Sequence, residues 1–405
     1  MLKVKFNCFF WLFLLIVSCE KETVLKEPVI FTLSSDSGFI GSQLIITGSN
    51  FGSDKNKISV SFDQIEGKVD SVAVNKLFIR IPEKLTVGAK LISVSLVDKR
   101  SNPAIFNILK SYQVSTVAGS GLFGTKDGNG LQASFSQPEE LTMDKKGNLF
   151  IADNFVIRKI DINGNVSLYA GSSTYGHGDG ATGIAKFNQR ISGISMDDAD
   201  NLYVADYRFI RKVDLNGNVT TLCGAMNASI FSALLGITLV DNSLFVVDIG
   251  QIKSVDLSGT IKVFTGDGSF SSVDGPTESA KVIPFKITTD NQKNLIFTEF
   301  SLGSKIRRST TSNVSTLISK ESLKLNGGLT IDREGNIYTV NGDTIIKIDN
   351  QGQIELVAGS VAGYQDGFGN EAKFFKPTGL FVDGSNNIYV CDTFNNRIRK
   401  IAPIN

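Results

Sequence analysis

A strand-like segment that ends in an acidic or amide residue recurs six times in the last two-thirds of the chain. The copies begin at Asn148, Asn201, Ser243, Asn294, Asn336 and Asn387, so successive copies are 53, 42, 51, 42 and 51 residues apart by subtraction. A repeat of about 40–50 residues that is rich in short apolar runs is typical of the blades of a β-propeller. The spacing therefore predicts six blades in the segment 114–405.

Each repeat carries four strand signals, and the first repeat shows them at 141–144, 149–152, 157–160 and 166–169. The last repeat ends at 398–401 and lacks its fourth strand. The strand-like segment 114–119, which precedes all the repeats, can complete it. We therefore expect the two ends of this segment to pair and close the ring, which leaves no open sheet edge.

The last repeat also carries a recognisable set of residues. It reads DGFG at 366–369, NIYVCD at 387–392 and NRIRKI at 396–401. This pattern resembles the NHL repeat, strongly in repeats 1, 2 and 6 and in degenerate form in repeats 3, 4 and 5. The NHL family includes binding platforms and a few enzymes, so the resemblance implies a fold and leaves the function open.

A second, smaller β domain is predicted before the repeats, at 28–112. Short apolar segments at 44–47, 58–62, 69–74, 77–81 and 91–97 alternate with turns, which is typical of an immunoglobulin-like sandwich. The run GSQLIITGSNFG at 41–52, with Ile81-Pro82 downstream, resembles an IPT/TIG domain. Such domains are usually spacers or interaction modules, so the resemblance carries no catalytic residue. The predicted fold class is all-β, with a sandwich followed by a six-bladed propeller.

The N-terminus has the pattern of a secretory leader. Lys3 and Lys5 precede the apolar run 9–17, which is too short for a transmembrane helix. The run ends at Ser18-Cys19 and resembles a bacterial lipobox, so residues 1–18 are predicted to be a signal peptide and Cys19 the lipidated residue of a tether at 19–27. Glu20-Lys21-Glu22 is similar to the tag of surface-exposed Bacteroidetes lipoproteins. We expect a lipid-anchored protein on the surface of the outer membrane; an ordinary signal peptide or a short anchor is the alternative.

Charge and composition exclude several partners. Forty-one Lys and Arg residues balance forty Asp and Glu residues, which gives no electrostatic reason to expect nucleic acid. Basic pairs do recur in the third strands, at 158–159, 211–212, 307–308 and 399–400, as in NHL domains that bind RNA, but we interpret them as structural. A single histidine, His177, excludes a histidine-rich metal site. The sequence predicts no metal or other cofactor, except that calcium is an alternative at the Asp-Gly pairs described next.

The candidate site lies on one face of the propeller, here called the loop face. It carries the loops from each outer strand to the next inner strand and the loops from each second to each third strand. The first kind is long before repeats 1, 2, 4 and 6 and contains Asp127-Gly128, Asp179-Gly180, Asp274-Gly275 and Asp366-Gly367. A carboxylate rim for calcium is one interpretation. The favoured one is that each Asp bonds within its own turn.

Aromatic residues in these loops suit pyranose rings, because C–H groups stack on aromatic faces while hydroxyls form hydrogen bonds. The candidates for ligand binding are Phe155, Tyr207, Phe209, Phe300, Phe394, Tyr175 and Tyr364, and the long loops add Phe123 and Phe270. The alternative is that these rings pack beneath their own loops.

Charged residues interrupt a set of glycines at the starts of the inner strands. Glycine stands there in four repeats, whereas repeat 1 has Glu139-Glu140 and repeat 4 has Lys286, with Arg190 nearby in sequence. Glu140, Lys286 and Arg190 are therefore further ligand-binding candidates. The sequence predicts a non-catalytic glycan-binding protein. The alternatives are a lyase or hydrolase that uses Glu139 or Glu140 as general acid or base, and a scaffold for surface proteins.

Overall fold

The computed structural model describes residues 25–188, 190–226, 230–299 and 304–404. The predicted signal peptide, the lipidation site Cys19 and the loop residue Phe300 lie outside these ranges. The contacts divide the chain into two units, of which the first ends at Ile108 and the second begins at Leu109. None of the short helical turns in the described ranges has the length or hydrophobicity needed to span a bilayer. The predicted all-β fold class is confirmed.

The first unit is a β-sandwich with one short 3-10 helix, Lys55–Lys57. Side chains alternate between buried and partly exposed along its strands, so one face of each strand fills the core. Gly48 is required because a Cβ there would lie 2.0 Å from the carbonyl oxygen of Val29. The strands are Val29–Leu33, Ser37–Phe39, Gln43–Ser49, Ile58–Phe62, Ile65–Ala73, Lys76–Arg80, Gly88–Leu96, Lys99–Arg100 and Ala104–Leu109.

The second unit contains six antiparallel sheets, which are the blades of a propeller and which share inter-blade hydrophobic clusters. From inner to outer strand, blade 1 is Pro138–Met143, Leu149–Asp153, Val156–Ile160 and Asn165–Gly171; blade 2 is Gly193–Met196, Leu202–Asp206, Phe209–Val213 and Val219–Gly224; blade 3 is Leu234–Val240, Ser243–Asp248, Gln251–Asp256 and Ile261–Thr265; blade 4 is Pro284–Thr289, Leu295–Glu299, Lys305–Ser309 and Asn313–Ser319; blade 5 is Leu329–Ile331, Ile337–Asn341, Thr344–Ile348 and Ile354–Ala358; blade 6 is Leu380–Val382, Ile388–Asp392, Arg397–Ile404 and Ser111–Ala118.

The outer strand of blade 6 comes from the other end of this unit. Ser111–Ala118 pairs antiparallel with Arg397–Ile404, with Val114 opposite Ile401 and Ala118 opposite Ile398. Short strands from three long loops add to outer strands at Gly128–Asn129, Gly275–Pro276 and Gly367–Phe368. 3-10 turns occur at Gly130–Gln132, Gly369–Glu371 and Thr393–Asn395. The predicted closure of the ring by its first strand is confirmed.

The asparagine that opens most repeats fixes the turn between the inner and second strands. Asn148 donates its side-chain amide to the carboxylate of Asp144 at 2.6 Å, and its backbone N–H donates to the same carboxylate. Such turns cover the face opposite the loop face, here called the turn face. The same side-chain bond joins Asn201 to Asp197, Asn294 to Asp290, Asn336 to Asp332 and Asn387 to Asp383.

Candidate ligand-binding face of the propeller

The Asp-Gly loops are tied to the blades by buried arginines. In blade 6 the guanidinium of Arg399, which is fully buried, lies 2.6 Å from Asp366 of the long loop and 2.7 Å from Asp392 at the end of the second strand. It also donates to the carbonyl oxygens of Gln365 and Lys373. Equivalent arrangements join Arg158 to Asp127 and Asp153, Arg211 to Asp179 and Asp206, and Arg307 to Asp274 and Glu299.

The Asp-Gly pairs and the first arginine of each basic pair have structural roles, but the prediction that each Asp bonds within its own turn is wrong, because these carboxylates bond to the third strands and, in three blades, to outer-strand threonines. The loop carboxylates already hold guanidinium groups, which favours a structural role over a calcium rim in these four loops. Within the described ranges, no cluster of three or more His, Cys, Asp or Glu side chains has the geometry of a metal site. Blades 3 and 5 follow short loops, and blade 3 uses Lys253, 2.8 Å from Asp248, in place of the arginine. The loop face is therefore uneven.

Asp153 is the least well paired of the buried acids, and it predicts a pH dependence. Its Oδ2 atom lies 3.7 Å from Arg158 and has no hydrogen-bond partner, and burial raises the pKa of Asp153 to about 7. Because the folded-state pKa exceeds the unfolded value, stability should fall as the pH rises through this window. One pKa unit corresponds to about 1.4 kcal/mol. Between pH 5 and pH 8 we therefore expect the free energy of unfolding to fall by about 3 kcal/mol more in the wild-type chain than in Asp153→Asn. Urea unfolding at the two pH values measures this; equal losses would contradict it.

Glycine at the start of the inner strands lets neighbouring blades approach closely around the central channel. A Cβ on Gly379 would lie 2.6 Å from the Cα atom of Glu140 in the next blade. Glu140 and Lys286 occupy the equivalent position in blades 1 and 4. Their side chains meet, with the Nζ atom of Lys286 3.5 Å from Oε2 of Glu140 and 2.5 Å from the carbonyl oxygen of Ser192. They line a channel cavity of about 250 Å³ to which all six inner strands contribute.

The two glutamates of blade 1 have different surroundings. Burial raises the pKa of Glu140, and the positive charge of Lys286 opposes this shift. Glu139 forms a bidentate ion pair with Arg190: Nε of Arg190 lies 2.9 Å from Oε1 of Glu139, and Nη2 of Arg190 lies 3.1 Å from Oε2. The side chain of Arg190 is two-thirds exposed, and its backbone has φ of 63°, in the left-handed region. Each predicted acid or base is therefore already paired with a cation, and Arg190 is the member of this group that faces solvent.

Four of the predicted rings are exposed on the loop face: Tyr175, Tyr207, Tyr364 and Phe394, at 59%, 39%, 45% and 45%. The half-buried ring of Phe155 leans against Tyr175 with centroids 6.3 Å apart. The guanidinium of Arg208 lies 4.7 Å from the ring centroid of Tyr207. These rings are available to stack on a ligand.

Phe394 belongs to a small cluster. Its ring centroid lies 5.4 Å from that of Phe375 and 4.8 Å from the ammonium of Lys376. Phe375 and Lys376 were not predicted as site residues, because nothing in their local sequence shows that they meet the blade 6 loop. Phe123 and Phe270, in the long loops before blades 1 and 4, are 67% and 77% exposed.

One predicted ligand-binding residue, Phe209, is not accessible to a ligand. Phe209 begins the third strand of blade 2 and is 3% exposed. It stacks under His177, with the two ring centroids 3.9 Å apart. The ring of Phe209 therefore packs within the protein, which is the alternative stated for the aromatic set. Tyr364 is 45% exposed; the guanidinium of Arg397 lies 3.7 Å from its ring centroid, and its hydroxyl contacts Thr116.

The comparisons with known proteins agree with this architecture. Residues 28–129 match the family model of the IPT/TIG domain. A solved protein of unknown function from Bacteroides thetaiotaomicron is 20% identical with a TM-score of 0.60, and the alignment covers 93% of this chain and 98% of that one. An auxiliary nutrient binding protein from Bacteroides ovatus is 16% identical with a TM-score of 0.56, covering 93% and 98%.

More distant likenesses cover less of the chain. Virginiamycin B lyase from Staphylococcus aureus is 16% identical with a TM-score of 0.50, over 72% of this chain and 99% of the lyase. Teneurin-4 of Mus musculus is 24% identical over 262 residues, which is 56% of this chain and 8% of teneurin-4. At these identities a structural likeness shows the fold alone. The chain thus has the fold of an IPT/TIG domain followed by a six-bladed β-propeller, and 93% of its length aligns with solved Bacteroides proteins.

Proposed function

We propose that this chain binds glycans through the loop face of its propeller and does not transform them. The observation that carries the proposal is the contrast between the charges and the rings on that face. Glu139 and Glu140 are each paired with a cation, whereas Tyr175, Tyr207 and Phe394 are exposed. Exposed rings and a solvent-facing arginine suit a sugar polymer, because they offer stacking and hydrogen bonding without a free acid or base.

The setting of the domains supports a role in capture. A protein with the same fold is called an auxiliary nutrient binding protein, and the leader of this chain has the pattern of a lipoprotein. We place the mature chain on the outer membrane surface, held by a lipid on Cys19. Labelling with radioactive palmitate in the wild-type chain but not in Cys19→Ser is the expected result, and equal labelling would overturn the anchor.

The binding proposal is tested with the mature chain and a panel of soluble polysaccharides in affinity gel electrophoresis. For a polysaccharide that retards the wild-type chain, we expect Tyr207→Ala or Phe394→Ala to weaken binding about tenfold, because a lost stacking contact costs about 1.5 kcal/mol. Phe31→Ala is the matched control, since Phe31 is a 61% exposed ring outside the propeller. An equal effect of all three variants would contradict a site on the loop face.

The second candidate is a lyase or hydrolase at the mouth of the channel. Its support is the raised pKa of Glu140, because a carboxyl group that holds its proton more firmly than usual is better suited to act as a general acid. Assays for reducing and unsaturated ends on the same panel separate the two. Product that disappears in Glu140→Gln would establish the enzyme and refute the binding proposal. If no polysaccharide in the panel retards the chain, the remaining hypothesis is a scaffold for surface proteins.

A further inference from the structure

A cleft of about 580 Å³ lies on the turn face between blades 4 and 5, away from the loop face. Its floor is apolar and includes Ile296, Leu317 and Ile348, and polar groups of the turns at 290–292 and 349–352 surround it. Arg308 and Arg333 also line it, and both side chains are exposed. Its volume falls within the range of small-molecule sites.

The cleft exists because blade 4 lacks an aromatic ring that the other blades have. The strand registers define an equivalent pair of positions in each blade. One is a second-strand residue, and the other is the outer-strand residue at a β-bulge. In blade 4 both residues are aliphatic, Ile296 and Leu317. The other five pairs each include a ring, and they are Phe150 with Tyr169, Tyr203 with Leu222, Phe245 with Phe264, Tyr338 with Val357 and Tyr389 with Val117.

Blade 1 shows what fills this place when rings are present. The rings of Phe150 and Tyr169 meet edge to face with centroids 4.7 Å apart. The hydroxyl of Tyr169 donates at 2.8 Å to the carbonyl oxygen of Asp214, in the turn of the next blade. The ammonium of Lys159, directly across from Phe150, lies 5.6 Å from the ring centroid of Phe150. A ring, a cation over a ring and a carbonyl acceptor therefore form one arrangement.

Blade 4 keeps the cation and the acceptor and lacks the rings. Arg308 lies directly across from Ile296, as Lys159 lies across from Phe150. Asp349 of blade 5 is the counterpart of Asp214, and its carbonyl oxygen accepts the N–H of Gly352, as that of Asp214 accepts the N–H of Gly217. In the part of the chain that the structure describes, no carboxylate lies within 4.0 Å of the guanidinium of Arg308 or Arg333.

We propose that this cleft binds a small phenolic acid. Its ring takes the place of the missing aromatic side chain, under the guanidinium of Arg308, and its hydroxyl donates to the carbonyl oxygen of Asp349. Its carboxylate pairs with Arg333. Three carboxylates also line the cleft, and each is engaged: those of Asp290 and Asp349 accept backbone N–H groups of their own turns, and that of Glu334 accepts the side-chain amide of Asn336. The site is separate from the proposed glycan site and does not rest on it.

The test measures binding of three probes to the purified chain by titration calorimetry: 4-hydroxyphenylacetate, phenylacetate without the hydroxyl, and cyclohexylacetate without the aromatic ring. We expect 4-hydroxyphenylacetate to bind several-fold more tightly than phenylacetate and at least tenfold more tightly than cyclohexylacetate. Equal affinity for the ring and the cyclohexyl compound, or no binding of 4-hydroxyphenylacetate, would overturn the proposal.

Leu317→Tyr locates the site, because a tyrosine there copies Tyr169 and fills the cleft from within. We expect it to weaken 4-hydroxyphenylacetate binding at least tenfold, to raise the melting temperature, and to leave polysaccharide binding unchanged. Leu215→Tyr is the matched control, because Leu215 is a 62% exposed leucine outside the cleft. This variant should bind 4-hydroxyphenylacetate as tightly as the wild-type chain does. If Leu317→Tyr fails to fold, Arg308→Gln gives the decision. It should weaken the two aromatic probes several-fold and not cyclohexylacetate, and unchanged aromatic binding would refute the proposal.

Discussion

Replacing Arg399 with methionine is expected to lower the free energy of unfolding of the propeller by about 3–5 kcal/mol. Arg399 is fully buried and its guanidinium contacts the carboxylates of Asp366 and Asp392 as well as two carbonyl oxygens. Methionine fills a similar volume but leaves these groups unpaired, and the carboxylate of Asp392 cannot reach solvent. The loss should be severe in blade 6, because its third and outer strands come from the two ends of the propeller and their pairing closes the ring.

Urea unfolding followed by circular dichroism measures this effect. Arg308→Met is the matched control, because Arg308 has an exposed side chain in the corresponding strand of blade 4, and it should change stability by less than about 0.5 kcal/mol. Adding Asp392→Asn to Arg399→Met should recover part of the loss, since it removes the unpaired charge. Equal stabilities of Arg399→Met and Arg308→Met would show that the buried arginine arrangement does not hold the loop to the blade.

The six blades and their closure could be predicted from the sequence because their signals are local. In blades 1, 2, 4, 5 and 6 the aspartate and asparagine of the inner turn, four residues apart, bond to one another, and so they recur as a readable pattern. The apolar runs between these turns fix the strands. The closing strand was predictable because the last repeat is short by one strand and a spare strand precedes the first repeat.

The exposure of individual rings could not be predicted in the same way. Tyr207 and Phe209 are two residues apart, yet Tyr207 lies in the turn and is exposed, while Phe209 begins a strand and is buried beneath His177. The difference depends on how the long loop before blade 2 folds back, which involves contacts distant in sequence. The cleft was hidden for a related reason. Ile296 and Leu317 are ordinary core residues in a strand, and only the aligned β-bulges show that a ring is missing there.

The sequence placed Glu140 and Lys286 in opposite blades, and the structure joins them across the channel. Whether two such side chains meet depends on the width of the channel, which no local pattern reports. Lys286 and Glu140 have side chains only 8% and 15% exposed, so their charges must compensate one another inside the protein. Breaking this pair tests whether the channel charges are structural or belong to a ligand site.

Lys286→Met is expected to destabilise the propeller by about 3–5 kcal/mol at pH 8, because it leaves the carboxylate of Glu140 buried without a cation. The pKa of Glu140 is already raised by burial, and without Lys286 it should rise further. The deficit should therefore be smaller at pH 4.5 than at pH 8, because protonation of Glu140 removes the unpaired charge, and it should grow as the pH rises through the pKa of Glu140 in the wild-type chain. Urea unfolding at pH 4.5 and pH 8 measures it.

The double variant Glu140→Gln/Lys286→Met separates a structural pair from a ligand site. With Glu140→Gln already present, Lys286→Met should cost only about 1 kcal/mol at either pH, for the lost bond to the carbonyl oxygen of Ser192. A deficit that persists at its full size would refute the ion pair as its cause. Because the pair lines the channel cavity and the exposed rings do not, the double variant should still bind polysaccharide within about twofold of the wild-type chain. A stable double variant that has lost polysaccharide binding would instead make Glu140 and Lys286 part of the ligand site.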